Sequence, residues 1–128
     1  MSGSGNTRQS KLRNDAEFRR VFDAAARSSD AYFTVLARSN GCDYPRLGLA
    51  IGRKWIRRAV DRNKIKRLIR NSFRQHRDQL SGLDLVVMAR CDGKAENMQF
   101  FSSLDKHWRR LRKERDQGKV PAVSALHG

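Results

Sequence analysis

The basic side chains of this sequence are concentrated in one segment, residues 53–77. It holds eleven of the 28 Lys and Arg residues and a single acid, Asp61, so its net charge is +10 out of +15 for the whole chain. Four of these cations recur at every fourth position: Arg62, Lys66, Arg70 and Arg74. On a helix they would lie about 6 Å apart along one face, which is similar to the spacing of phosphates along a nucleic-acid strand. Arginine also suits bidentate phosphate contact, so the pattern predicts a polyanion-binding surface.

A solvated helix face is the competing explanation for this segment. Such a face usually mixes charge signs, because like charges at positions i and i+4 weaken a helix by about 0.2–0.5 kcal/mol per pair. Polyanion binding is therefore favoured, with nucleic acid as the first candidate and an anionic membrane as the second. Charge alone does not separate DNA from RNA. Trp55, next to Lys54, is open to two interpretations: a stacking platform for bases or a hydrophobic anchor.

Residues for catalysis or metal binding are sparse. The three histidines are dispersed: His76, His107 and His127. Ser72 and His76 are four positions apart on the predicted helix, but no orienting acid is evident in the sequence. Asp84 and Asp92 lie at strand ends without a recognisable partner, and no Cys and His residues have the spacing of zinc ligands. The sequence therefore predicts no catalytic residue and no metal site on the protein.

The composition indicates one cytoplasmic domain with a modest core. The chain has 128 residues, of which 38% are hydrophobic. No apolar run approaches the ~20 residues of a membrane span, and the first residues lack a signal-peptide core, so we expect no membrane partner. Cys42 and Cys91 are too few for a disulfide framework, and we expect both to be free thiols.

The elements that position the basic segment follow from periodicity and turn residues. Helical spacing of apolar residues predicts helices over residues 14–25, 59–79 and 97–115. Strands are predicted over residues 31–38, 46–51 and 83–90, the last apolar enough to be central. Ser28, Ser29 and Asp30 break the first helix, and Asn40-Gly41 predicts a hairpin between the first two strands. One sheet with helices packed on it would bury the apolar faces.

We expect three regions along the chain: a flexible basic N-terminus over residues 1–13, a single polyanion-binding domain over 14–116 and a flexible tail over 117–128. Apolar stripes define the expected core: Phe18 and Phe22 on the first helix, Ile65, Leu68, Ile69 and Phe73 on the second, and Phe101, Leu104, Trp108 and Leu111 on the third. On the strands, Phe33, Val35 and Ala37 share one face, and Leu47, Leu49 and Ile51 share another.

Residues 57–74 closely resemble the signature of the bacterial ribonuclease P protein component. The family pattern is Arg-Asn, two residues, Lys-Arg, two residues, Arg, and five residues match it: Arg62, Asn63, Lys66, Arg67 and Arg70. It is specific because it fixes an asparagine inside a basic helix. The resemblance covers roughly residues 11–115, including the first helix around 17–22 and the strands over 46–54 and 83–90.

The resemblance implies an α+β fold, a two-layer α/β sandwich. Its central mixed sheet would have about four strands, with three helices and a left-handed βαβ crossover. It also implies a function as the protein subunit of ribonuclease P, an endoribonuclease. The expected partners are the catalytic RNA of ribonuclease P and precursor tRNA, and no protein partner is required. Removal of the 5′ leader would be catalysed by the RNA with bound Mg²⁺, and not by protein side chains.

Two binding surfaces are implied. The first would meet the RNA subunit through ten residues: Arg53, Lys54, Arg57, Arg58, Arg62, Asn63, Lys66, Arg67, Arg70 and Arg74. The second would be a cleft for the single-stranded leader, lined by Phe18, Phe22, Thr34, Leu36, Ala50, Lys66 and Arg70. The resemblance thus favours an exposed position for at least one of the two phenylalanines, in place of core packing. Some family members have an aromatic residue where this chain has Leu36.

Other classes of protein stay open at this point. A ribosomal or general RNA-binding protein would bind many RNAs without affecting processing. A self-sufficient nuclease would cleave RNA alone, but it needs an acid or histidine constellation that this sequence lacks. DNA binding is less favoured, because no turn-helix pairing precedes the basic helix.

Overall fold

The computed structural model describes Leu12, Ala16 and residues 26–120. Within that part the chain forms four strands, two α-helices and one 3₁₀ turn. In chain order these are β1 (Ala26–Ser29), β2 (Phe33–Ser39), β3 (Arg46–Ala50), α1 (Ala59–Gln75), the 3₁₀ turn (Arg77–Leu80), β4 (Leu83–Ala89) and α2 (Asn97–Asp116). Of the predicted first helix only Ala16 is described, and it is helical and exposed.

The sheet is mixed, with strand order β1-β2-β4-β3. β4 runs antiparallel to β2 and parallel to β3, so α1 is the crossover between two parallel strands. β4 occupies an interior position because it is apolar on both faces, and six of its seven residues are buried. The prediction that residues 83–90 form a central strand is confirmed.

The predicted hairpin between β2 and β3 is wrong, because β4 lies between these two strands. Asn40 and Gly41 do form a turn, and Gly41 has a φ of 72°. The Asn40 backbone N–H donates to the Gly82 carbonyl at 2.8 Å. The Asn40 side chain donates to the Tyr44 carbonyl at 3.1 Å and accepts from the Cys42 N–H at 2.7 Å. These bonds shape a loop that passes the start of β4.

The hairpin of this fold joins β1 to β2, from Ala26 opposite Ala37 to Ser29 opposite Thr34. The sequence prediction placed only a helix break at residues 28–30 and missed β1. The turn is built by Asp30, whose carboxylate accepts the N–H groups of Tyr32 at 2.8 Å and Phe33 at 3.0 Å. Such Asx turns replace a backbone turn with a side-chain acceptor.

The main core lies between one face of the sheet and the two helices. The whole predicted stripe of α1 is buried there: Ile65, Leu68, Ile69 and Phe73. The predicted faces of β2 and β3 are also confirmed, since Phe33, Val35, Ala37, Leu47 and Ile51 belong to the same cluster and Leu49 packs against it. On α2, the stripe begins at Phe100, which is 1% exposed, whereas Phe101 is only partly buried. α1 is shorter than predicted, because the 3₁₀ turn follows it.

The opposite face of the sheet carries a smaller apolar cluster. Leu36 and Val86 are buried there with Leu12, and Ala50 and Met88 pack at its margin. The Leu12 N–H donates to the Leu47 carbonyl on β3 at 3.1 Å. No helix in the described part of the chain is long and apolar enough to cross a membrane.

Candidate nucleic-acid interface

α1 and the loop before it form one exposed basic surface. We define the basic surface as Arg53, Lys54, Arg57 and Arg58 in the loop, with Asn63, Lys64, Lys66, Arg67, Arg70 and Arg74 on α1. All of these residues are exposed except Lys66, which is half-buried. The packing of α1 determines this arrangement: because its apolar stripe faces the sheet, the polar positions of the helix point toward solvent.

The cations of the basic surface have no acidic partners among the described residues. None of them forms an ion pair there, whereas three arginines of α2 do. On α2, Arg109 contacts Asp105 at 3.3 Å, Arg110 contacts Glu114 at 3.6 Å and Arg115 contacts Asp116 at 3.1 Å. The basic surface therefore presents a cluster of uncompensated charge that a polyanion would neutralise, whereas three of the six Lys and Arg residues of α2 are paired with acids.

Arg62 differs from the other cations of the predicted set, because its side chain turns back onto the chain. Its Nη1 donates to the Ile56 carbonyl at 2.9 Å and to the Arg57 carbonyl at 2.7 Å. Since both carbonyls lie in the loop before α1, Arg62 fastens that loop to the first turn of the helix. Sequence periodicity could not indicate this role, because it places Arg62 on the same face as Lys66.

The N-terminus of α1 adds to the positive potential of the basic surface. Arg58 occupies the N-cap position and makes no side-chain cap hydrogen bond. The first N–H groups of a helix lack partners within the helix and carry the positive end of its dipole. Only Asp61 supplies an acid in the first turn.

The residues predicted for a leader cleft do not all come together in the described part. Thr34, Leu36 and Ala50 share the sheet face opposite α1, and Lys66 and Arg70 lie on the helix layer. Thr34 and Leu36 are each 3% exposed, and Ala50 is partly exposed. The hydroxyl groups of Thr34 and Ser29 are hydrogen-bonded at 2.9 Å. Phe18 and Phe22 lie outside the described residues.

Ser72 and His76 do not form a nucleophile–base pair. Ser72 is 2% exposed, and its hydroxyl accepts the Trp108 Nε1–H at 2.8 Å. His76 Nδ1 lies 2.9 Å from the Ser72 carbonyl oxygen, and its Nε2 lies 2.5 Å from Asp105 Oδ1. A shallow groove between α1 and α2, of about 370 Å³, borders this cluster. These contacts join the two helices.

A buried Ser–His–Asp cluster, invisible in the sequence, joins α2 to the β1–β2 hairpin. Ser28 Oγ lies 2.6 Å from His107 Nδ1, and His107 Nε2 lies 3.3 Å from Asp30 Oδ2, which also accepts the Ser103 hydroxyl at 2.5 Å. Ser28 and His107 are 2% and 3% exposed, so no substrate reaches them. Ser28 and His107 are 79 positions apart, so no local sequence motif could predict their contact.

The pKa values in this cluster reflect burial and hydrogen bonding. Burial lowers the pKa of His107, and the charge of Asp30, whose Oδ2 lies 3.3 Å from His107 Nε2, opposes that effect only in part. For Asp30, burial alone would raise the pKa. Hydrogen bonds from Ser103, Phe33 and Tyr32 outweigh it, together with the charge of His107, so the pKa of Asp30 lies below its usual value.

Asp84 has a partner that the sequence did not reveal. Its carboxylate accepts Arg46 Nε at 2.8 Å and Nη2 at 2.7 Å, and it also accepts the Asn40 amide at 3.0 Å. Arg46 and Asp84 are opposite each other on the parallel strands β3 and β4. Among the described residues, no three His, Cys, Asp or Glu side chains lie together as a possible metal set. Cys42 and Cys91 are both free, as expected.

The fold and the basic surface together define the class, a small α+β protein with a surface suited to a polyanion. Comparison with known proteins gives the family. Residues 7–112 match the family model described as Ribonuclease P. A ribonuclease P protein component of Methylococcus capsulatus is 52% identical over 107 residues, which cover 83% of this chain and 84% of that protein.

Solved structures agree with this assignment. The ribonuclease P protein of Thermotoga maritima is similar with a TM-score of 0.70 and 32% identity, over 78% of this chain and 96% of that one. A Staphylococcus aureus ribonuclease P protein mutant with defective mRNA degradation activity gives a TM-score of 0.76 and 28% identity, over 86% and 93% of the two chains. The chain belongs to the bacterial ribonuclease P protein component family, which acts in tRNA 5′ processing, and the prediction from the motif is confirmed.

Proposed function

We propose that this chain binds the catalytic RNA of ribonuclease P through its basic surface and promotes removal of the 5′ leader from precursor tRNA. One observation carries the proposal: the cations of the basic surface have no ion-pair partners in the described chain, whereas three arginines of α2 are paired with acids. Maintaining such self-repulsion on one helix is costly unless a polyanion neutralises it. An RNA backbone supplies that charge at a matching spacing.

In this proposal, the RNA subunit with bound Mg²⁺ performs the cleavage. The protein supplies binding energy and neutralises phosphates, and no protein side chain is catalytic or binds the metal alone. Three acids of the described chain make structural contacts, which is consistent with catalysis by the RNA and not by the protein. Asp84 binds Arg46, Asp30 shapes a turn, and Asp105 contacts His76. A cytoplasmic location and independence from protein partners stay predictions.

The leader of precursor tRNA is proposed to bind the second face of the sheet. Because Thr34 and Leu36 are nearly fully buried, Ala50 and Met88 are the residues of that face through which we expect contact. Phe18 and Phe22 would complete the cleft, and Lys66 and Arg70 would hold phosphates at its margin. We also propose that the β3–α1–β4 crossover is left-handed, although such crossovers are generally right-handed.

Reconstitution tests the proposed function. The protein is combined with a bacterial ribonuclease P RNA, and cleavage of precursor tRNA is measured at low Mg²⁺. We expect faster cleavage than with the RNA alone, because the protein neutralises phosphates that Mg²⁺ otherwise screens. Absence of any gain contradicts the proposal, and binding to many RNAs without a gain would instead favour a general RNA-binding protein.

A pair of double variants makes the test specific to the basic surface. Arg67→Ala/Arg70→Ala removes two unpaired cations of α1, and Arg109→Ala/Arg110→Ala removes two paired cations of α2. Both lower the net charge by two. We expect only the α1 pair to abolish most of the gain, and equal losses would mean that total charge matters and the surface does not.

A further inference from the structure

Trp55 is exposed in an unusual setting. Its exposed fraction is 44%, in contrast to Trp108, which is 1% exposed in the core. The hydrophobic-anchor interpretation of Trp55 requires burial against the fold, and the structure does not provide it. The indole instead projects from the loop between β3 and α1, directly before the buried Ile56.

The loop that carries Trp55 is anchored at the next residue, Ile56, through both its side chain and its backbone. The Ile56 side chain is 1% exposed and packs close to Gly93, where an added Cβ would lie 3.2 Å from Ile56 Cδ1. The Ile56 carbonyl accepts Arg62 Nη1 at 2.9 Å. Holding an aromatic ring in position before binding reduces the entropy lost when a ligand stacks on it.

The loop that carries Trp55 is rich in cations. Lys54 Nζ lies 6.0 Å from the centroid of the Trp55 ring, at the limit of a cation–π contact. Arg53, Arg57 and Arg58 of the same loop are exposed and have no ion-pair partners among the described residues. An apolar protein patch would have to remove water from these charges, which is unfavourable. A nucleotide fits both features, because its base stacks on the ring and its phosphates meet the cations.

We propose that Trp55 stacks on an unpaired base of the RNA that the basic surface binds. The inference rests on the proposed function, and it adds a base contact to the phosphate contacts proposed for the basic surface. The base belongs either to the ribonuclease P RNA or to precursor tRNA, and the chemistry of recognition is the same for both. The contact is sequence-tolerant, since every base offers a π-face.

Substitutions separate stacking from bulk and from charge. Trp55→Phe keeps an aromatic face, and Trp55→Leu keeps apolar bulk without one. Binding is measured by anisotropy of labelled ribonuclease P RNA, precursor tRNA and mature tRNA, each alone and over a range of salt concentrations. We expect Trp55→Leu to weaken binding about 5- to 100-fold to the RNA that supplies the base, and Trp55→Phe to stay within about threefold of wild type.

The salt dependence distinguishes this effect from loss of a phosphate contact. Trp55→Leu removes no charge, so the slope of log affinity against log salt should equal that of the wild type. Arg58→Ala, the matched control in the same loop, should lower the slope. The inference is overturned if Trp55→Leu keeps wild-type affinity for all three RNAs. It is also overturned if Trp55→Leu and Trp55→Phe weaken RNA binding to the same extent.

Fluorescence reports the stacking directly. Trp55 and Trp108 are the two tryptophans of the chain, so the difference between wild type and Trp55→Phe isolates the Trp55 signal. We expect quenching of that signal by RNA, and no quenching at saturation with polyphosphate, which has charge but no bases. RNA binding without quenching overturns the stacking inference and leaves the proposed function intact, whereas absence of RNA binding overturns both.

Discussion

At the scale of single residues, one motif contains two different roles. Arg62 and Arg67 both belong to the family pattern, yet Arg67 is exposed without an ion-pair partner and Arg62 donates to two backbone carbonyls. Arg62 therefore stabilises the loop that carries part of the basic surface, whereas Arg67 is available to contact a ligand. The motif spacing cannot express this difference, because both residues are arginines on consecutive turns of the same helix.

Substitution of these two arginines should have distinct effects. Arg67→Ala should weaken RNA binding and lower the salt slope by roughly 0.7–0.9 for each lost phosphate contact, with stability unchanged. Arg62→Ala should lower the free energy of unfolding by about 1–2 kcal/mol, because it removes charge-assisted hydrogen bonds to the loop. RNA titrations at several salt concentrations, paired with urea unfolding, measure both effects.

Arg109→Ala on α2 is the matched control for charge, since it also lowers the net charge by one. It should leave the salt slope unchanged, and it should change the free energy of unfolding by less than about 0.5 kcal/mol because its ion pair is exposed. Equal slopes for Arg67→Ala and the wild type would argue against a phosphate contact at Arg67. Full stability of Arg62→Ala would contradict its role in fastening the loop.

At the scale of elements, local patterns were sufficient to locate the two described helices and insufficient for strand pairing. The stripe of α1 follows from a 3.6-residue period, and all four of its predicted residues are buried. Pairing depends on contacts between distant strands: β4 joins the sheet between β2 and β3 although it follows both in sequence. An Asn-Gly turn has the same local chemistry whether the flanking strands pair or not.

β1 shows a second limit of sequence reasoning. Its four residues, Ala26–Ser29, have no apolar alternation, and two are serines. The strand exists because Asp30 shapes the turn and because His107 on α2 contacts Ser28. The same limit applies to the candidate site: the exposed cations were predictable from periodicity, but the loop contacts of Arg62 and the pairing of Asp84 depend on the folded backbone.

The ion pair between β3 and β4 should contribute measurably to stability. Asp84→Asn removes the negative charge opposite the half-buried Arg46 guanidinium and one of the two oxygens that accept its hydrogen bonds. We expect a loss of about 2–3 kcal/mol in the free energy of unfolding, with RNA affinity nearly unchanged at temperatures where the variant is folded. Chemical denaturation monitored by circular dichroism, together with RNA titration, tests this expectation.

Asp43→Asn is the control for the Asp84 variant, because Asp43 is an exposed acid in the loop before β3. It removes the same charge and should change stability by less than about 0.5 kcal/mol. A similar small effect for Asp84→Asn would show that Arg46 finds compensation elsewhere. A loss of RNA binding by the folded Asp84→Asn protein would instead connect this strand pair to the interface.

At the scale of the whole molecule, both apolar packing and polar contacts attach α2 to the rest of the fold. The main core lies between the sheet and the helices, and polar contacts at its margin connect α2 to its neighbours. Toward the hairpin, His107 and Ser103 contact Ser28 and Asp30. Toward α1, Asp105 contacts His76. The part of the fold that carries the basic surface is thus attached to α2 partly through a titratable group, His107. The stability of the fold should therefore depend on pH.

The sign of that dependence follows from His107. Its pKa in the folded protein lies below the usual 6.5, mainly because of burial, with smaller contributions from Arg110 and Lys106 against the opposing effect of Asp30. The unfolded chain therefore binds more protons than the folded chain as the pH falls below about 7. Stability is fully present above that pH and decreases toward the folded pKa, by at most about 1.4 kcal/mol per pH unit. Asp30 adds a loss in the same direction only near and below its usual value of 3.8.

Urea unfolding between pH 8 and pH 5 measures this dependence, because that window excludes the titration of Asp30. We expect the wild type to lose stability as the pH falls. His107→Gln should be less stable at pH 8, since a buried hydrogen bond is changed, but should show a flatter pH profile. His127→Gln removes a histidine near the C-terminus and should reproduce the wild-type slope. If His107→Gln keeps the full slope, protons are taken up elsewhere on unfolding and the cluster of Ser28, Asp30 and His107 is not the pH-sensitive part of the fold.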